Sequence, residues 1–169
     1  QQHIIDALDQ AGHVIITGRD DNETCMKVML HPLHDRSRET NFENCVSDVN
    51  IPLGEVFTSP VLTGTEGLLH VRNVYVGDYQ FKNLRMRFKD GRVTEFSCGN
   101  FEKDGSDGDG SARGEVSRDE AARGEVSRDE AAQGRALVKQ VIMHNHEWLP
   151  LGEFAIGTNT AAYAMARKF

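Results

Sequence analysis

The stretch FKNLRMRFKDGRVTEF, Phe81–Phe96, decides how the rest of the chain is read. Leu84, Met86 and Phe88 recur at every second residue, the period of a strand with one buried face. Asp90-Gly91 interrupts the alternation and RVTEF resumes it. A two-residue type I′ turn needs positive φ at both central positions, which Asp and Gly tolerate best. The stretch therefore predicts a β-hairpin. Upstream, LLHVRNVYV (68–76) also alternates, so Gly67 to Phe96 reads as β throughout.

Working outward toward the N-terminus, Ile4, Ile5 and Leu8 have helical spacing. Val14–Thr17 reads as a strand bounded by glycines, and Glu23–Leu30 as a second strand across an Asp-Asp-Asn turn. HPLHDRSRETNFEN (31–44) is polar and turn-rich and reads as a loop. The expected class is α+β: mostly antiparallel sheet with a few packed helices.

Toward the C-terminus the composition changes. Residues 104–110 read DGSDGDG, and ARGEVSRDEA at 112–121 recurs unchanged at 122–131. Ten residues of α-helix rotate by about 1000°, so successive copies land about 80° apart and form no common stripe. Gly114 and Gly124 weaken any helix. The chain is thus expected to divide into a β-rich part (1–101), a flexible charged insertion (102–133) and a helix–strand–helix continuation of the same domain (134–169). In the last part RALVKQVIMHNHEWL reads as an amphipathic helix stopped by Pro150, GEFAIG as a short strand, and AAYAMARKF as a helix capped by Asn159 or Thr160.

Composition excludes several classes. With 169 residues there is one core's worth of chain. A net charge of -7, from 26 acidic and 19 basic residues, is no nucleic-acid footprint. No apolar run approaches the roughly 18 residues of a membrane span. The abrupt ends, without initiator Met or terminal cap, read as a piece of a longer protein. Cys25, Cys45 and Cys98 are odd in number and lack CxxC spacing, which predicts buried, unreactive thiols in a reducing cytoplasm.

The chemistry narrows by elimination. Aligning Asp107, Asp109 and Gly110 to a calcium loop leaves Gly105 and Val116 at the two terminal ligand positions, so a solvated linker is the better reading. His31 and His34 lie in a loop without a third ligand, and His144 and His146 diverge on a helix. Sequence motifs of serine hydrolases, P-loop proteins, zincins and dinucleotide-binding folds are absent. What remains is an echo: Pro-Leu-Gly-Glu at 52–55 recurs 98 residues later at 150–153. Each copy sets a glutamate, Glu55 or Glu153, after a Gly at the start of an expected strand. Two such carboxylates suit hard or borderline divalent cations and could bridge two ions; they could equally be strand-end salt-bridge partners.

At full length, ETNFENCVSDVNIPLGEVFTSP (39–60), the hairpin at 81–96 and LPLGEFAIGTNTAAYAMARKF (149–169) resemble the metal-dependent aminopeptidase T family, M29, also called leucyl or thermophilic aminopeptidases. The resemblance runs from about Gly12 to Phe169, excepting the insertion, and covers the middle of the family's longer chain. It implies an aminopeptidase T-like fold, hydrolysis of N-terminal residues from peptides, and a dinuclear site of zinc, cobalt or manganese. It also implies a peptide substrate and is compatible with a homodimer, while charge and hydropathy predict neither nucleic-acid nor membrane partners. Glu55 and Glu153 match two of the family's metal ligands. Its remaining ligands, a His and then a His-x-Asp pair, follow the second glutamate motif and are not in this chain. The family's tyrosine after its first ligand His has no counterpart either, since Tyr163 precedes that region. Thr58 and Asn159 are candidates to hydrogen-bond the carboxylates, beside ordinary capping and turn roles. No catalytic acid or base is assigned. The isolated 169 residues are expected to lack a complete site and turnover. The alternative is a non-catalytic, β-rich interaction module related to the peptidase.

Overall fold

The computed structural model describes residues 1–45, 54–101 and 128–161. In chain order the described elements are α1 (Gln2–Leu8), β1 (His13–Thr17), β2 (Cys25–Met29), β3 (Glu43–Cys45), β4 (Glu55–Thr58), β5 (Val61–Val76), β6 (Tyr79–Lys89), β7 (Arg92–Ser97), α2 (Arg128–Val141) and β8 (Phe154–Gly157). They form a five-stranded sheet ordered β1-β2-β5-β6-β7 and a three-stranded sheet ordered β3-β4-β8. The class is α+β, as the alternation predicts. The Asp-rich stretch, the first repeat copy, most of the second and the terminal helix beyond Ala161 lie outside the described residues.

The chain divides into two compact units. The first comprises Gln1–His70, Met86–Glu95 and Trp148–Phe169. Here β1 and β2 pair antiparallel from His13↔Met29 to Thr17↔Cys25. Their connection is tied down by polar contacts on β5. Asn22 Nδ2 and the Thr24 hydroxyl both donate to the His70 carbonyl at 3.0 Å, and the Glu23 N–H donates to His70 Nδ1 at 3.0 Å. His70 is consequently buried although its strand reads as alternating.

One apolar cluster organises the site-bearing sheet. Ile5 of α1, Leu30, Phe42 and Val56 are buried together, with Ile4, Leu8, Val14, Phe154 and Ile156 packed around them. The helical spacing of Ile4, Ile5 and Leu8 thus gives α1 a stripe for this cluster. Phe42 meets Phe154 edge to face, with ring centroids 6.1 Å apart. Full burial of Phe42 and Val56 contributes about 1.5–3 kcal/mol each.

The hairpin forms as its sequence dictates. Asp90 (φ 45°) and Gly91 (φ 65°) both take positive φ, and Leu84, Met86 and Phe88 are buried. Phe81 is buried too, although it is out of phase with them. Asn83, between Phe81 and Leu84, takes a positive φ of 47°.

The second unit comprises Val71–Arg85 and Phe96–Glu147. Its hairpin turns at Gly77-Asp78, a Gly-Asp signal that the sequence reading passes over. Helix α2 is described from Arg128, the first described residue after 101, and carries Lys139 in its last turn. It ends at Val141 rather than running to Pro150, because His144 (φ 46°) and Asn145 (φ 64°) turn left-handed. The Asn145 N–H closes this end by donating to the Lys139 carbonyl at 2.8 Å. The expectation of buried thiols also needs correction. Cys98 is buried, Cys45 is half-buried and Cys25 is exposed. Met26 and Val28 take the inner face of β2, so strand alternation turns Cys25 outward.

Candidate metal face and adjoining cleft

The two Gly-Glu echoes meet in one sheet. Strand β4 pairs antiparallel with β8 as Glu55↔Gly157, Val56↔Ile156, Phe57↔Ala155 and Thr58↔Phe154. On its other side it pairs with β3 as Glu43↔Phe57, Asn44↔Val56 and Cys45↔Glu55. Cross-strand partners share a face. One face therefore carries Val56, Thr58, Phe154 and Ile156, which turn inward to the apolar cluster or are buried. The opposite face carries Glu43, Cys45, Glu55, Phe57, Ala155 and Gly157.

Glu55 is the first residue of β4 and is half-buried. Glu153 stands one residue before β8 and is exposed. Strand alternation assigns Glu153 to the face of Glu55. The two are offset by the four residues between Glu153 and Gly157, about 13 Å along the strand direction at 3.3 Å per residue. The structure thus brings both glutamates to one face of one sheet, toward opposite ends of it.

The glycines that precede them are not equivalent. Gly54 has a φ of 121°, and a Cβ there would stand 3.0 Å from the Asn159 Cβ and 3.2 Å from the Thr158 Oγ1. The Thr158 N–H donates to the Gly54 carbonyl at 2.7 Å. The start of β4 is therefore seated on the residues that follow β8. A Cβ at Gly152 would meet nothing within 4 Å. Of the two accessory candidates, Asn159 packs against Gly54, directly beside Glu55 in sequence. Thr58 lies three positions from Glu55, hence on the opposite face. It is buried, and among the described residues its hydroxyl donates to the Ser59 carbonyl, at 3.5 Å.

Beside this face lies a cleft of about 500 Å³. It is floored by the end of β4, Phe57–Ser59, and walled by residues of the loop that precedes β3, with Glu43 of β3 itself. His31, Pro32, Leu33, His34 and Glu39 are among the lining residues. The loop is built by reciprocal side-chain caps. Asp35 Oδ1 accepts the Ser37 hydroxyl at 2.6 Å and the Ser37 N–H at 3.0 Å. Glu39 Oε2 accepts the N–H groups of His34 at 2.7 Å and Asp35 at 3.0 Å. The Ser37 hydroxyl, then its N–H, holds the Asp35 pKa below the ordinary value. The Asp35 and His34 N–H groups do the same for Glu39. The sequence marks His31 and His34 as loop histidines without a third metal ligand, and it gives no sign of Glu39 and Glu43. The E-T-N-F-E spacing carries no motif by which they could be found.

Among the described residues no group of three or more His, Cys, Asp or Glu side chains gathers to hold an ion. The donors on the face are nonetheless of the right kind. The carboxylates of half-buried Glu55 and exposed Glu153 are hard oxygen ligands for a divalent cation, and they need partners from elsewhere to complete its coordination. No described helix is long and apolar enough to cross a membrane.

A family model described as thermophilic metalloprotease (M29) matches residues 1–104. No curated protein and no solved structure matches the chain.

Proposed function

The chain belongs to the thermophilic metalloprotease (M29) family, and from that premise we propose that it is part of a metallo-aminopeptidase whose dinuclear centre uses Glu55 and Glu153 as ligands. The family accounts for a metallopeptidase and its divalent metal. The observation that supports the finer reading is the pairing of β4 with β8, which puts both Gly-Glu motifs on one outward face.

The four-residue offset suits one carboxylate for each of two ions better than two carboxylates on one. The ion pair, when bound, would activate a water and polarise the scissile carbonyl. The chain's own residues supply the rest. Glu55 and Glu153 offer carboxylate oxygens. Gly54, seated on Thr158 and Asn159, fixes where Glu55 leaves the backbone. Val56, Phe154 and Ile156 anchor the reverse side of the sheet in the apolar cluster, so the ligand-bearing face has a rigid support. Asn159 is proposed as a positioning residue on the strength of its contact with Gly54. The ligands still needed would come from elsewhere in the protein, and zinc, cobalt and manganese all fit carboxylate donors. A cytoplasmic location is proposed from the three free thiols.

The test is hydrolysis of paired peptides by the full-length protein. Free N-termini should be trimmed, N-acetylated copies of the same peptides should resist, and a chelator should abolish the activity. Equal cleavage of blocked and free peptides would make it an endopeptidase. No cleavage of either, with metal supplied, would favour a non-catalytic interaction module.

A further inference from the structure

The cleft beside the candidate metal face has a composition that selects one kind of occupant. Pro32, Leu33 and Phe57 give it apolar walls, while Glu39 and Glu43 bring two carboxylates. Long apolar stems that end in a cation are the side chains that match such a lining, because the methylenes pack on the walls and the charged head stays at the acids. At about 500 Å³ the cleft is within the range of small-ligand pockets.

Its position is set by register. Glu43 and Phe57 are cross-strand partners, so both stand on the face that carries Glu55. Phe57 is two residues from Glu55, about 7 Å along β4. The cleft therefore opens along the candidate metal face, between the two proposed ligands: Phe57 pairs with Ala155, which is two residues from Glu153 just as Phe57 is two residues from Glu55. We propose that this cleft is a specificity pocket for a basic side chain, lysine or arginine, at the N-terminal end of the peptide. This rests on the aminopeptidase reading above.

The charge on Glu39 is built in by the loop. Two backbone N–H groups point at its Oε2, and they favour the ionised carboxylate over the acid. A glutamine there keeps an acceptor for those N–H groups and removes only the charge, which makes Glu39→Gln with Glu43→Gln a clean probe.

Binding separates this inference from the catalytic one. Argininamide and leucinamide both carry an α-ammonium, and only the first adds a cationic side chain. Their affinities for the full-length protein would be measured by calorimetry at pH 8, where imidazole is neutral. The expected result is a preference for argininamide of about tenfold or more, the scale of a charge-assisted hydrogen bond. That preference should vanish in the double variant while leucinamide affinity stays the same. An absent preference, or one that survives both substitutions, overturns the pocket. Equal loss for both ligands also overturns it, since the carboxylates would then be reading the α-ammonium. Failure of the aminopeptidase reading shows differently: the preference in binding persists while arginine-initiated peptides are not cleaved.

Discussion

At the scale of single residues, the two Gly-Glu echoes have different reasons for their glycines. Gly54 combines a φ of 121° with a 3.0 Å approach to Asn159, so any side chain meets both backbone strain and a packed neighbour. Gly54→Ala should cost about 2–3 kcal/mol. Gly152→Ala, with open space around it, should stay within about 0.5 kcal/mol. Denaturant midpoints of the two variants read the difference, and similar values would contradict the seating of β4 on Thr158 and Asn159. Asp35 and Glu39 make a second residue-scale prediction. Their folded pKa values are depressed, so their loop contacts contribute fully above the ordinary values of 3.8 and 4.5. That contribution is lost as pH falls through the lower folded values. The amide shifts of His34, Asp35 and Ser37 should therefore titrate with midpoints below those ordinary values. Midpoints at or above them would show that the caps are not formed.

At the scale of elements, the sequence is most legible where local chemistry alone sets the backbone. Asp90-Gly91 specifies a turn whatever surrounds it, and Leu84, Met86 and Phe88 name the buried side of their strand. Ile4, Ile5 and Leu8 give α1 in the same way. Legibility fails where tertiary contact overrides propensity. Gly134 lies within α2, where the helix comes so close to Cys98 that a Cβ would stand 2.6 Å from its carbonyl oxygen. Gly134→Ala should consequently destabilise, by about 1–3 kcal/mol, even though alanine raises helix propensity by about 1 kcal/mol. A thermal midpoint that rises instead would mean that α2 is not docked there. Register is the other hidden quantity. The echo could be read as two like motifs, but only the pairing of Glu55 with Gly157 shows that they share a face with a four-residue offset. The cleft was invisible for the same reason, since Glu43 and Phe57 are far apart in sequence and become neighbours only through the β3–β4 ladder.

At the scale of the whole molecule, a small sheet has one side sunk in an apolar cluster and the other side turned away from it. The inward face holds Val56, Phe154 and Ile156, and the outward face holds the acids. Exposed Glu153 can be changed without disturbing the core, as surface substitutions away from packed features move stability little, whereas half-buried Glu55 has contacts of its own to lose. The most direct test of the central claim is the metal content of the full-length protein, measured by elemental analysis beside its Glu55→Gln and Glu153→Gln variants. Two ions per chain are predicted in the parent and at most one in each variant, with unchanged circular dichroism. Two ions retained in both variants would contradict the assignment of Glu55 and Glu153 as metal ligands.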